Sequence, residues 1–219
     1  MIRFGLSAFL KLACSEPGKQ RELVRDRLLP SEDARDFHRP LRLLVRRFVC
    51  DRVPLDEVLK SADSLKSEPQ RKATIEGLKR LARWLEETPR PKLSFDGVTF
   101  RSPNEVFAVD FSPNFGLQIG ERATAIHVWN IKKPSLAWEP TYTVLSLFLP
   151  LYGGVSGAPN DLAVYSLPVE RLFQLSMATD HTEAAARLVA RVENLFEDVA
   201  DELRIPGPGK GTPHAPPPV

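Results

Sequence analysis

The sequence predicts an α/β chain of the α+β kind. A helical N-terminal region is followed by a mixed sheet of αβββαβ-like order and then by a long C-terminal helix. Three observations carry this. Apolar residues recur at helical spacing through the first ninety residues. Near Lys92 the pattern changes to short alternating runs separated by Gly, Asp, Asn and Pro. An apolar helix, one more strand and a long amphipathic run then close the chain.

Taken in order, Phe4, Phe9, Leu10, Leu12 and Ala13 predict a short first helix, ended by SEPG with Gly18 as punctuation. GKQRELVRDRLL continues as a charged helix. In PLRLLVRRFVCDRV, apolar Leu41, Leu44, Val45, Phe48 and Val49 fall on one helical face, and Arg39, Arg42 and Arg46 line another. PLDEVLKSADSL begins with Pro54 and places Asp56 and Glu57 near the positive helix end. ATIEGLKRLARWLEE puts Ile75, Leu78, Leu81, Ala82 and Leu85 on one stripe, and PRPK at 89–92 stops it. Asp96-Gly97 signals a hairpin. EVFAVDF, FGLQIG and TAIHVWNIK read as strands joined by SPN and GER. WEPTYTVLSLFLPLYGG reads as a buried helix, capped by Gly153-Gly154, and DLAVYSLP as a further strand. The run to Leu203 is a helix whose core face is Leu188, Val192, Leu195, Phe196 and Val199.

The chain divides into a helical extension at 1–69, a core at 70–204 and a disordered Pro/Gly-rich tail at 205–219. Its 42% apolar and 26% charged residues are those of an ordinary soluble protein. Charge is uneven: residues 1–92 hold 21 Lys/Arg against 14 Asp/Glu, a net of +7, and the remainder is −5. Cys14 and Cys50 are too few for a disulfide framework. The apolar stretch before Lys11 is too short for a signal core, and no stretch reaches the ~18 apolar residues of a membrane span. These features predict a cytoplasmic protein with no membrane contact. His38, His127, His181 and His214 are scattered and suggest no metal cluster. There is no serine-nucleophile motif, phosphate-cradling glycine loop or CxxC, and Gly153 to Gly157 read as a flexible linker.

One stretch carries chemistry. SPNFGLQIGERATAIHVWNIKK would spell "PD … (D/E)xK" if Asn114 and Asn130 were acids. With the order of helix 70–87, strands 93–132, helix 140–152 and strand 161–168, the region from about 70 to 175 resembles the PD-(D/E)XK restriction-endonuclease-like superfamily, in its RecB-like branch. The resemblance implies that positions 114 and 130 would hold Mg²⁺ and that Lys132 would assist the attacking water. Both acids are missing, so it implies an inactive descendant, with no cofactor and no metal site. Mg²⁺ enters only if acids have migrated in, with Asp110, Glu105, Glu121, Glu76 and Glu86 as candidates. A second register, with Ala125 and His127 at the last two positions, is also acid-free. Plainer readings stand beside these. Asn114 after Pro113 is a turn residue, His127, Trp129 and Ile131 are one packed sheet face, and Lys132-Lys133 is a solvated strand end.

The function expected is therefore binding. Arg39, Arg42 and Arg46 on one helix, with Lys72, Lys79 and Arg83 on another, offer phosphates a basic surface free of stacking aromatics. A protein partner, or a purely structural subunit, is the alternative. A third possibility is internal pairing, in which these arginines meet Glu193, Glu197 and Asp198 of the same chain.

Overall fold

The computed structural model describes residues 1–29, 36–87, 92–177 and 180–208. It departs from expectation at its first element. Ile2–Gly5 form strand β1, parallel to β4 (Phe107–Phe111) with Phe4 opposite Val109. Alternation explains the switch from helix to strand: Phe4 is buried while Arg3 turns outward to the Asp110 carboxylate, 3.0 Å away. On the other side of β4, β3 (Val98–Arg101) pairs antiparallel and completes a three-stranded sheet of order β1-β4-β3.

Five helices follow β1 before the next strand. They are α1 (Leu6–Ala13), α2 (Pro17–Leu28), α3 (Arg39–Val49), α4 (Leu55–Asp63) and α5 (Glu68–Glu87). Gly18 does not punctuate the first helix. Pro17 opens α2, where its missing N–H costs nothing, and Gly18 lies inside the first turn. The expected stop at PRPK, 89–92, lies outside the described residues apart from Lys92, which is in β2 (Lys92–Leu93).

Asp96-Gly97 does not turn a hairpin either, because β2 and β3 belong to different sheets. Gly97 answers a different need. A Cβ there would come within 2.9 Å of the Phe111 carbonyl oxygen, so only glycine lets the two backbones approach.

The second sheet has the order β2-β5-β6-β7-β8, with β5 (Phe115–Ile119), β6 (Arg122–Trp129), β7 (Asp161–Ser166) and β8 (Arg171–Gln174). The β5–β6 hairpin is antiparallel, as expected. Strand β7 joins β6 in parallel after a crossover through α6 (Trp138–Ser146) and a 3₁₀ turn at Leu149–Tyr152, also as expected. Strand β8 is an addition the sequence pattern did not signal. The expected meander is broken at 112–114, where the chain leaves one sheet for the other, so β4 and β5 are not partners. Strand β6 ends at Trp129, which leaves Asn130 and Lys132 beyond it and not on a shared strand face.

Period two sorts the large sheet into two cores. Ala125, Trp129, Leu162 and Val164 pack towards Phe9 of α1, Phe148 after α6, Phe196 of α7 (Thr182–Leu203) and Phe107 of the small sheet. Ile126, Val128, Ala163 and Tyr165 pack against Leu41 and Val45 of α3, Val58 of α4 and Leu78 of α5. All six residues of β7 are buried, as a parallel strand covered on both faces requires. The fold is thus α+β with a long C-terminal helix. Residues before 70 supply a strand to the small sheet and helices to both cores. Residues 209–219 of the tail lie outside the described residues. Among the described residues no helix is long and apolar enough to cross a membrane.

Candidate functional site

Asn114 lies at the crossing between sheets and is 7% exposed. Its backbone N–H donates to the Ile126 carbonyl at 2.8 Å. Its side-chain Oδ1 accepts the Val128 N–H at 2.7 Å. The residue therefore extends the β5–β6 ladder by one main-chain and one side-chain hydrogen bond. Removing the side-chain partner would orphan a buried amide, at a cost of about 1–3 kcal/mol. Asn130 sits two residues past Val128, and its Nδ2 donates to the Ala73 carbonyl of α5 at 3.2 Å. Lys132 is exposed. Position 130 faces a carbonyl oxygen, a neighbour that suits an amide and repels a carboxylate.

The candidate migrated acids are dispersed. Asp110 belongs to the small sheet, where its carboxylate accepts from Arg3 at 3.0 Å and from Thr99 Oγ1 at 2.7 Å. Glu105 lies in the β3–β4 turn with φ 54°. Glu121 precedes β6 and Asn130 follows it, so they stand at opposite ends of an eight-residue strand, about 25 Å long at ~3.3 Å per residue. Glu76 and Glu86 are exposed on α5. Among the described residues, no group of three His, Cys, Asp or Glu is placed to hold a metal ion.

The basic residues divide into two sets. On α3, Arg39 and Arg46 are exposed and, among the described residues, have no acidic partner, whereas Arg42 pairs with Asp36. On α5, Lys72 pairs with Glu68 at 2.7 Å and Arg83 with Glu170 at 3.9 Å, and Lys79 stands between exposed Glu76 and Glu86. The α5 face is therefore mixed in sign. The acids of α7 are met instead by α2: Arg21 pairs with Asp198 and Glu202, and Arg25 with Glu202 at 3.6 Å. Buried Glu193 is held by the Asn104 backbone and side-chain amides at 3.0 and 2.8 Å.

Sequence reasoning missed one cleft. A cleft of about 700 Å³ opens where the β1–α1 junction, the start of α3 and the ends of β4 and β6 meet. Ser7 and His127 stand together in its wall, with Oγ and Nε2 2.7 Å apart. His127 shares the sheet face of Ala125 and Trp129, and Ser7 lies in the first turn of α1. His127 is 4% exposed, with the Ser112 backbone beside its ring. Burial, then the Arg42 charge, push its pKa down to about 3, against the opposing pull of the Ser112 backbone and Asp36. The ring is therefore neutral at ordinary pH. His38 in the same cleft is also lowered, by burial and then by Arg42. No local signal could have paired Ser7 with His127, because 120 positions separate them.

No family model matches this chain, and no curated protein does. A solved structure described as "Crystal structure of SSO0001" is similar at 12% identity over 92% of this chain and 87% of its own, with a TM-score of 0.32. A likeness that low carries no argument.

Proposed function

We propose that the chain is a catalytically inactive nuclease-like protein that works by binding, with nucleic acid held along the outer face of α3. The observation that carries the reading is how the two motif asparagines are used. Asn114 holds the Val128 amide and Asn130 the Ala73 carbonyl, so both act as structural amides. Neutral ligands at both positions would leave Mg²⁺ without the charge that hard oxygen sites supply.

Binding is assigned to α3 because Arg39 and Arg46 project together and, among the described residues, have no acidic partner, with Arg47 exposed beside them. Lys72, Lys79 and Arg83 contribute less, for their acids interleave. Contacts of this kind neutralise phosphates and carry little sequence information. A second reading, an acidic protein partner, is favoured by Leu43. This residue is 55% exposed among the arginines and offers an apolar anchor that phosphates do not use.

A mobility shift with duplex and single-stranded nucleic acid over a salt series tests this. The unmutated protein should bind more weakly as salt rises. The double variant Arg39→Glu, Arg46→Glu should lose the shift at moderate salt and lower the logarithmic salt slope by about two, one for each phosphate contact. No shift of the unmutated protein at low salt would leave the protein partner as the better reading.

A further inference from the structure

We propose that Ser7 and His127 form a nucleophile–base pair that gives this protein an acyl-transfer site, taking carboxylic esters in the cleft at the β1–α1 junction. The pair does not use the motif asparagines, nor Arg39 and Arg46 of α3.

The geometry has four parts. The first is the 2.7 Å contact between Ser7 Oγ and His127 Nε2, within the range for proton transfer. The second is the setting of the serine. Strand β1 runs into α1 through Gly5, and Gly5, Leu6, Ser7 and Ala8 all line the cleft. No side chain caps α1, so its first-turn N–H groups are open to a developing oxyanion beside the nucleophile. The third is His127 itself, which is more than nine-tenths buried and lines the cleft, with the Ser112 backbone beside its ring. The fourth is the wall, which is mixed: Leu23, Phe37 and Ile131 offer apolar surface beside the charged Lys11, Arg27 and Asp110.

The chemistry balances with water as the only co-reactant. Ser7 Oγ attacks the ester carbonyl carbon while its proton passes to His127 Nε2, and the carbonyl π pair moves onto oxygen. When that pair returns, the bond to the alcohol oxygen breaks, and the departing alkoxide takes the proton from His127. Water then repeats the sequence on the acyl-serine, releasing the carboxylic acid and restoring the Ser7 hydroxyl. The burial that keeps His127 neutral, and so free to accept the proton, also disfavours the imidazolium. The imidazolium forms in acylation and in deacylation alike, so both steps, and turnover, are slow.

The test uses the full-length protein and a fluorophosphonate probe, with the modified residue located by mass spectrometry. The expected result is a single adduct on Ser7, absent in Ser7→Ala and formed about 100-fold more slowly in His127→Gln, the lower end of what general-base assistance supplies. Thermal melts confirm that both variants are folded. If His127→Gln proves unfolded, the pH profile of labelling takes its place, with an acid limb near 3 expected in place of one near 6.5. No adduct on the folded unmutated protein, an adduct on another serine, or labelling of Ser7 at equal rate in folded His127→Gln would overturn the proposal.

Discussion

Phe9→Ala should be among the most damaging single substitutions in the chain, at about 3–5 kcal/mol. Phe9 is wholly buried, stacks on Phe107 at 5.4 Å and meets Phe4 edge-on at 5.7 Å. Phe4 and Phe107 lie on neighbouring strands of the small sheet, and Phe196 of α7 packs on both, at 6.0 and 6.4 Å. The ring of Phe9 thus fixes α1 to the sheet. Truncation leaves a cavity among aromatic side chains that α1 cannot close without moving. Chemical denaturation should show the loss, and the melting temperature should fall by about 2–4 °C for each kcal/mol in a chain of this size. Leu151→Ala, at a residue 40% exposed, should change stability by about 0.5 kcal/mol or less. A small effect at Phe9 would mean that α1 is not seated on the sheet as described.

The second large effect is on acid stability. His127 titrates near its ordinary value of 6.5 in the unfolded chain and at about 3 when folded. Between those values the unfolded state binds the extra proton, so folding stability falls as pH is lowered. It is undiminished above 6.5 and is lost progressively towards 3, at about 1.4 kcal/mol per pH unit where the difference in protonation is complete. Carboxylates add their own acid dependence, so the informative quantity is a difference. The slope of unfolding free energy against pH between 6.5 and 4 should be shallower in His127→Gln than in the unmutated protein. Equal slopes would mean that the ring gains its proton in the folded state as readily as in the unfolded one.

Much of this fold is legible locally. Leu41, Leu44, Val45 and Val49 mark α3 by spacing alone, and the structure buries all four. The β5–β6 hairpin and the apolar crossover to β7 are also readable, because their partners are neighbours in sequence. What escapes is whatever a distant partner decides. Ile2–Gly5 carry the apolar content of a helix start, but β4 offers an open edge more than a hundred residues later, and pairing there outweighs local preference. Asp96-Gly97 has the residues of a hairpin turn, yet the flanking strands go to different sheets.

The site divides in the same way. The spacing of Asn114, Asn130 and Lys132 is visible in the sequence. That the two asparagines act as amides towards Val128 and Ala73 is visible only once β6 and α5 are in place. Arg39 and Arg46 read as a basic face and project as one. The opposite charge of α5's own acids is present in the sequence on the same side of the helix, in Glu68, Glu76 and Glu86. Counting cations alone overlooks it.

The central claim is that the motif positions serve structure and not metal-dependent cleavage. Incubation of the purified protein with DNA and RNA in Mg²⁺ or Mn²⁺ tests it most directly. No cleavage is expected, either from the unmutated protein or from Asn114→Asp, Asn130→Asp, because position 130 faces the Ala73 carbonyl. Metal-dependent cleavage by the unmutated protein that disappears in Asp110→Ala would contradict it and assign the metal to acids that the motif spacing does not reveal.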